Sequence, residues 1–536
     1  MPLAPRVALL LLAAALPLPA QNPAVRATAE RAIRAADLLR DVSYIASDAL
    51  LGRATPSPGF DSAAAYVARE LKALGVKPFG DAGGYFQHYP LAHSILDTAA
   101  TSATIGGKTL VWGRDFRVSS FVAPGPREGE VLYVGQGLRV PKRGLDPYAG
   151  QDVRGKWLLV HPRTGPARAL TTDTLGILGV DYTTVQDEAR ARGALGILTI
   201  NATSLPGGGR GGAVQSRDLV PSVGRAYAPY PLPQISIGSA TLDWLAGDAK
   251  IAAVLRESPT FGSYPGSFLL PSGALRVNLV ATTNTIHPYN VLGFIEGTDP
   301  TVKDEWIAMA AHLDGAVGRG VNAAGDSIFN AADDNASGSA GALAITRALM
   351  QGPRPRRSIL LIWDSGEETG LWGARHIANG ETGKKIVAIA NVDMIGRSRA
   401  PGTNILGEDQ LTPPGVIYIT GPRVLSTQLE AMVMKVEKEY PWIAFDRSSE
   451  DPNHESFYPR TDASPYVENG IPYLGVRNGR HGDYHRQTDE VSKLDIAKME
   501  ATSRALYAML WHTADSAVRP RMDKPLPKTL WFVTPR

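Results

Sequence analysis

The sequence predicts an α/β fold with a mostly parallel central sheet, covered by helices on both faces, and a β-rich domain inserted into it. Four near-continuous apolar runs, at 305–312, 358–366, 385–393 and 471–476, are typical of parallel strands buried on both faces. Helical stretches such as 337–352 lie between these runs, which favours an open α/β sheet. Between about 96 and 280, short alternating segments separated by Gly and Pro indicate the β-rich unit.

The N-terminus has the pattern of a secretory signal peptide. A positive Arg6 precedes an apolar run from Val7 to Leu18, and the small residue Ala20 follows. The run is too short to span a bilayer comfortably. An apolar N-terminal helix is the alternative. The prediction is export to the periplasm or the exterior.

The predicted division has five parts. A signal peptide at 1–20 is followed by two amphipathic helical patterns in 21–95, the first part of the main domain. The insertion occupies 96–280, and the metal-binding core of the main domain occupies 281–517. An extended tail rich in Pro and Lys, 518–536, is expected on the surface.

Composition excludes several kinds of site. The chain has 536 residues, too many for one core, and a formal net charge of only +3. That small charge gives no reason to expect nucleic acid or an acidic membrane as partner. There is no cysteine, so disulfides, lipid attachment through cysteine and thiolate metal sites are all excluded. A metal site here must use His, Asp and Glu.

Potential metal ligands follow three of the apolar runs. Open α/β sheets form their sites outside the carboxyl ends of the strands, and buried carboxylates must be paired, metal-bound or neutralised. An acidic pair before a helix and a histidine after the fourth run add to the set. Alone, each has an ordinary explanation, such as a helix cap or a loop residue. The candidates are His312, Asp314, Asp333, Asp334, Glu367, Glu368, Asp393 and His485.

These ligand types predict zinc, with manganese or cobalt as alternatives. A catalytic zinc has about three protein ligands and a water. Five ligands therefore form two sites only if one carboxylate bridges both ions.

The motifs "AHLDG", "ADDNASG", "DSGEETG", "NVDMIG" and "YH", in this order, resemble those of the co-catalytic di-zinc exopeptidases. That family includes bacterial leucyl aminopeptidases, glutamate carboxypeptidase and the inactive transferrin receptor. The resemblance covers about 26–95 and 281–515. The insertion, with "VRGKWLLVHP" and "DEARARGALGILTIN", resembles a protease-associated domain.

The resemblance implies two Zn²⁺ per chain. His312 and Asp393 would bind one zinc, Glu368 and His485 the other, and Asp334 would bridge them. The peptide between Asp334 and Asn335 would be cis, as in the family.

The resemblance also implies catalytic roles. Glu367 would be the general base for a water shared by the two zinc ions. Asp314 would orient His312 through its second ring nitrogen. Tyr484 would stabilise the oxyanion. The "YH" context favours His485 over the nearby His481 as the ligand.

Substrate recognition departs from the family. Where many members carry Asp-His, this chain has Asp462 and Ala463, so a typical pocket contact is missing. Asp462 and Tyr458 are the candidate substrate-binding residues.

The sequence thus predicts a zinc metallo-exopeptidase acting on peptides, with an aminopeptidase preferred over a carboxypeptidase. A glutaminyl cyclase and a non-catalytic, receptor-like binding protein are the alternatives. A cyclase would use a single zinc and would not need His312 and Asp393 as ligands. A receptor would be expected to have lost ligands.

Overall fold

The structure is a computed structural model, and it describes most of the chain. The described residues are 23–120, 124–161, 175–176, 179–201, 215–219, 232–257, 266–315, 320–400, 411–450, 461–527, 530, 533 and 535–536. The predicted signal peptide at 1–20 and the candidate Tyr458 lie outside them.

The N-terminal part supplies three helices and two short strands. Ser57 caps the third helix by accepting a hydrogen bond from the backbone N–H of Phe60 (3.1 Å), and Pro58 occupies its first turn. The elements are α1 (Pro23–Ala32), α2 (Ala35–Ile45), α3 (Pro58–Ala73), β1 (Lys77–Pro78) and β2 (Phe86–His88).

The inserted segment is rich in strands. Its helix at Val185–Arg192 begins with a capping box, in which Thr184 and Asp187 each bond the other's backbone N–H. The elements are β3 (Leu91–Leu96), β4 (Ser102–Ile105), β5 (Lys108–Leu110), β6 (Phe116–Ser120), β7 (Gly125–Gly129), β8 (Val131–Tyr133), β9 (Trp157–Val160), α4 (Val185–Arg192), β10 (Gly196–Asn201), β11 (Gln215–Leu219), β12 (Gln234–Gly238), α5 (Ser239–Ala246), α6 (Ala249–Arg256), β13 (Phe268–Leu269), β14 (Leu275–Leu279) and β15 (Ala281–Ile286).

The third part alternates strands and helices. A wide turn at Ala332–Ser337 leads into its first helix. The elements are β16 (Tyr289–Ile295), β17 (Trp306–His312), α7 (Gly338–Gln351), β18 (Ile359–Asp364), α8 (Trp372–Asn379), α9 (Glu381–Lys385), β19 (Ile386–Val392), β20 (Val416–Thr420), α10 (Pro422–Leu425), α11 (Thr427–Glu439), β21 (Ala444–Asp446), α12 (Ser464–Glu468), β22 (Tyr473–Arg477) and α13 (Ile496–Asp515).

The central sheet has nine strands, in the order β1-β16-β18-β17-β19-β22-β20-β21, with β2 also paired to β16. Its four middle strands, β18, β17, β19 and β22, run parallel. On either side β16 and β20 pair antiparallel with them. Every residue of β17, β18 and β19 is buried. The predicted α/β fold is confirmed, and its parallel centre is built from the predicted apolar runs.

Helices cover both faces of this sheet. One core contains apolar residues of α1, α2, α3, α7, α11 and α13, and the opposite core contains residues of α8, α10 and α12. The tail predicted to lie on the surface also enters the second core. Met522, Leu530 and Val533 are buried there, because these apolar side chains gain more from burial than from water.

The insertion has its own sheets and apolar clusters. A six-stranded sheet, β13-β8-β9-β10-β12-β6, and a four-stranded sheet, β5-β4-β14-β7, enclose buried residues such as Trp157, Leu198 and Leu242. The paired strands β3 and β15 carry the chain out of the main domain and back, and β11 pairs with β3. Within the described part of the chain, no helix combines the length and apolar character needed to cross a bilayer.

Candidate metal centre and active site

The parallel strands bring the predicted ligands to one edge of the sheet. His312 is the last residue of β17, and Asp393 follows β19 directly. Glu367 and Glu368 lie in the turn after β18, and His485 lies in the segment after β22. Since the carboxyl ends of parallel strands meet at the same edge, residues far apart in sequence become neighbours.

One group forms around His312. Its Nε2 lies 3.3 Å from Oδ1 of Asp334 and 3.5 Å from Oδ1 of Asp393. The His312 side chain is 1% exposed and that of Asp393 13% exposed. Their ligand atoms all lie within 4.8 Å of one another, close enough to share one ion.

A second group forms around His485. Its Nε2 lies 3.0 Å from Oδ2 of Asp334 and 3.1 Å from Oε2 of Glu368. The three ligand atoms again lie within 4.8 Å of one another. His485 is more exposed than His312, with 40% of its side chain accessible to solvent.

Asp334 belongs to both groups. Its Oδ1 faces His312 and its Oδ2 faces His485, which is the arrangement of a bridging carboxylate. The peptide bond between Asp334 and Asn335 is cis. Sequence reasoning required one bridging carboxylate, and Asp334 is the residue that the two groups share. Its role as a bridge stays a prediction.

The donor set fits zinc. Nε2 of His312, Oδ1 of Asp393 and Oε1 of Glu368 are buried polar atoms without a hydrogen-bond partner among the described residues. Buried polar atoms are nearly always satisfied, so these three point to a ligand. Imidazole nitrogens and carboxylate oxygens, without thiolate, suit zinc.

The electrostatics of the two ligand groups also favour bound cations. Burial raises the pKa of Glu368 to about 7, and the nearby Asp334 adds to that rise. Burial alone would raise the pKa of Asp334, but its close contacts with the imidazole rings of His312 and His485 outweigh this and lower it. Burial lowers the pKa of His485, yet its bonds to Asp334 and Glu368 prevail and raise it to about 10. Several carboxylates crowded in one buried place need positive charge beside them.

Glu367 lies beside the two groups but belongs to neither. Its backbone N–H donates to Oδ1 of Asp314 (3.2 Å), which holds the turn after β18 against the end of β17. Burial raises the pKa of Glu367 well above its ordinary value.

Asp314 acts through two different oxygens. Its backbone carbonyl oxygen lies 3.0 Å from Nδ1 of His312, whereas its carboxylate Oδ1 is 3.8 Å from that nitrogen. The carbonyl is thus the nearer partner for orienting His312. The carboxylate is engaged with Glu367 instead.

A buried network holds the turn that carries Asp334. Asp489 accepts hydrogen bonds from the backbone N–H groups of Asp333 (3.0 Å) and Asp334 (3.2 Å). Oδ1 of Asp333 accepts from the N–H of Gly396 (2.7 Å). Nε2 of His481 lies 3.1 Å from Oδ2 of Asp333, so His481 supports this turn and lies in neither ligand group.

The remaining candidates occupy different places. The ring of Tyr484 is stacked on that of His485, with centroids 3.8 Å apart. Asp462 is completely buried and contacts the carboxyl group of Asp364, the last residue of β18. Burial and the neighbouring Asp364 raise the pKa of Asp462 well above its ordinary value. Its substrate-binding role stays a prediction.

Sequence reasoning missed three residues here. Asp489 lies in the segment "GDYHRQTDE", four residues after His485, and its spacing from the ligand was the available signal. Asp364 ends an apolar strand, which marks it as a buried polar group. The buried Arg53 had no signal, because a lone arginine after a helical pattern is ordinary.

Residues 290–510 match the sequence model of the Peptidase family M28. This part of the chain is therefore similar to an M28 peptidase domain. This domain includes every proposed ligand, and it confirms the resemblance to the co-catalytic zinc exopeptidases and the prediction of a metallo-exopeptidase.

Solved structures resemble the chain beyond the M28 domain. An aminopeptidase from Aneurinibacillus sp. strain AM-1 is similar at a TM-score of 0.53 and 16% identity, over 94% of this chain and 99% of that chain. This likeness shows a shared fold. BSAP, a zinc aminopeptidase from Bacillus subtilis, is similar at a TM-score of 0.48 and 15% identity, over 90% of this chain and 96% of that chain. A Peptidase M28 precursor from Shewanella amazonensis SB2B is similar at a TM-score of 0.44 and 16% identity, over 94% of this chain and 98% of that chain.

Proposed function

We propose that the protein is an exported aminopeptidase that uses two zinc ions to remove N-terminal residues from peptides. The observation that carries this proposal is the position of Asp334, whose two oxygens face His312 and His485 in separate ligand groups. A single shared carboxylate is what five ligands need to hold two ions.

The ligands divide by position. His312, Asp334 and Asp393 would hold one zinc, and Asp334, Glu368 and His485 the other. When bound, a zinc pair acidifies water and stabilises negative charge on the oxygens of the reacting centre. The remaining steps belong to residues of the chain.

Glu367 is the proposed general base and acid. It takes a proton from the water whose oxygen attacks the peptide carbonyl carbon. As the carbon–nitrogen bond breaks, the same carboxyl group gives that proton to the leaving amine. Its backbone bond to Asp314 fixes the turn that presents it.

Tyr484 is the proposed donor to the carbonyl oxygen. Its stacking on His485 holds the phenol beside the second ligand group. Burial raises the pKa of Tyr484, so its hydroxyl keeps its proton and remains a donor at neutral pH.

Two finer parts of the proposal have separate support. The preference for an aminopeptidase over a carboxypeptidase is supported by the aminopeptidase from Aneurinibacillus, whose fold the chain shares over nearly its whole length. Export is supported by the signal-peptide pattern of residues 1–20 alone.

The decisive experiment compares aminoacyl anilides with their N-acetylated forms and counts zinc per chain. An aminopeptidase should cleave only the free-amine substrates, at two zinc ions per chain. Equal cleavage of the blocked forms would reject the aminopeptidase assignment. A single zinc at full activity would reject the paired site.

A further inference from the structure

Arg53 is an arginine buried completely beside the metal ligands. It ends a turn in which Leu51, Gly52 and Arg53 have φ angles of 48°, 80° and 57°. Two of these residues are not glycine, and the left-handed region is unfavourable for them. The turn directs the Arg53 side chain inward, where it is 0% exposed.

The four hydrogen bonds that the guanidinium group of Arg53 donates within the described part of the chain all go to backbone carbonyl oxygens. Nε donates to Leu313 (2.9 Å) and Nη2 to Ala331 (3.1 Å). Nη1 donates to Ile45 (2.6 Å) and Asn330 (2.8 Å). Among the residues that the structure describes, no carboxylate lies within ion-pair distance of it. A buried arginine normally has such a partner, so an arginine bonded only to backbone carbonyl oxygens is unusual. We call Arg53 and the four carbonyl groups that it bonds the clamp.

Three of these four carbonyls, those of Leu313, Asn330 and Ala331, belong to the segments that carry His312 and Asp334, two of the three ligands of the first group. The fourth, that of Ile45, ends α2. Leu313 directly follows His312, and Ala331 lies three residues before Asp334. One rigid planar group therefore ties the end of β17 to the turn that presents the bridging carboxylate. Arginine suits this role because its donors are fixed in a fork.

The turn at residues 51–53 is tightly packed against its neighbours. A Cβ atom added to Gly52 would lie 2.6 Å from the carbonyl oxygen of Phe329. One added to Gly315 would lie 2.5 Å from the carbonyl oxygen of Gly52. The turn is pressed against both ligand-bearing segments, so the clamp fixes their separation.

We infer that Arg53 is a positioning residue that sets the spacing of His312 and Asp334 and thereby the affinity of the first zinc site. This inference deepens the proposed function and depends on its metal site. The alternative is that only the positive charge of Arg53 matters, through the carboxylates of the site. Lysine at this position distinguishes the two explanations, because it keeps the positive charge but lacks the fixed, forked arrangement of N–H donors.

The test measures zinc binding by Arg53→Lys in competition with a chelator. We expect one of the two zinc equivalents to bind about 10- to 100-fold more weakly, the usual cost of losing a residue that orients metal ligands. Saturating zinc should restore kcat with KM unchanged, which a general loss of folded protein would not do.

Arg357→Lys is the matched control. Arg357 is also buried, at 1% exposed, and donates to Glu305 (3.0 and 2.8 Å) and to the backbone carbonyl of Ser516. It precedes β18, at the end of the sheet opposite the ligands. Its variant should keep wild-type zinc affinity. Equal affinity in Arg53→Lys and the wild type, or equal weakening in both variants, would overturn the inference.

A second measurement covers the case in which Arg53→Lys fails to fold. Hydrogen exchange of the wild-type protein is compared with and without zinc. If the clamp positions the ligands, residues 311–315 and 331–337 should remain protected in the zinc-free protein. Their selective loss of protection would overturn the inference.

The outcomes remain separable from those of the proposed function. Zinc affinity is measured without a peptide substrate. A wild-type protein that binds two zinc ions but cleaves no peptide rejects the aminopeptidase and leaves the clamp testable.

Discussion

At the scale of single residues, the main feature is the division of work between Glu367 and Glu368. They are adjacent in sequence, yet only Glu368 lies within 3.1 Å of His485, and only Glu367 bonds through its backbone to Asp314. Two like charges side by side are costly in a buried place. In the proposed function, a metal beside Glu368 and a mobile proton on Glu367 would offset that cost.

Glu367→Gln should keep both zinc ions and lose about 10²–10⁴-fold in kcat, since the amide cannot accept the proton of the water. Elemental analysis and steady-state kinetics check this. Glu368→Gln is the matched variant and should lose zinc. Full activity in Glu367→Gln would remove the general base from the proposal.

His485→Ala should lose zinc and activity together, because a residue of the second group is removed. Removing even an outer partner of a metal ligand costs about 10–100-fold, so the loss of activity should be at least about 100-fold. His88→Ala changes an exposed histidine paired with Asp81 and should behave as the wild type. Unchanged zinc content in His485→Ala would refute its role as a ligand.

At the scale of elements, the packing of α11 against α13 contains a buried neutral histidine. Nε2 of His512, in α13, lies 3.0 Å from the hydroxyl of Tyr440, which directly follows α11. Burial, together with the smaller effect of the nearby Lys435, lowers the pKa of His512 from 6.5 to about 4. The folded state therefore resists protonation of this ring.

The sign of the effect on stability follows from that lowered pKa. The contribution of His512 is fully present above pH 6.5 and is lost as the pH falls towards 4, because the unfolded chain binds the proton more tightly. His512→Gln should therefore flatten the pH dependence of stability over this range by on the order of 3 kcal/mol.

The measurement is the melting temperature of zinc-free wild-type and His512→Gln proteins between pH 7 and pH 4. Removing zinc from both keeps the metal site out of the comparison. Parallel pH profiles for the two proteins would show that His512 is not a buried neutral group.

At the scale of the whole molecule, the insertion joins the main domain through the paired strands β3 and β15. Leu96 and Ala281 are opposite each other in this pair. Replacing residues 97–280 with Asn-Gly, the preferred two-residue hairpin turn, would close the pair directly.

We expect this deletion variant to fold, to bind two zinc ions and to cleave a short aminoacyl anilide. The reason is that the ligands and the central sheet lie outside the deleted segment. Gel filtration, zinc content and kcat/KM check it against the full chain. An aggregated or zinc-free product would show that the insertion completes the site.

Much of the site could be predicted, since its signals are local. The apolar runs of β17, β18, β19 and β22 can be read along the chain, and the general rule for parallel sheets then places His312, Glu368 and Asp393 at one edge. Arg53 could not be found in this way, and Asp489 had only its spacing from His485 as a signal. Their role depends on contacts with segments distant in sequence.

The sequence by itself determined the α/β class, the ligand types and the order in which strands deliver them, because strand periodicity and residue chemistry are properties of short segments. Only the tertiary structure decided which oxygen of Asp334 faces which histidine, and that Asp314 reaches His312 through its carbonyl. It also decided that Arg53 clamps Leu313 to Ala331. These arrangements require angstrom-scale positions of segments hundreds of residues apart, which packing alone sets.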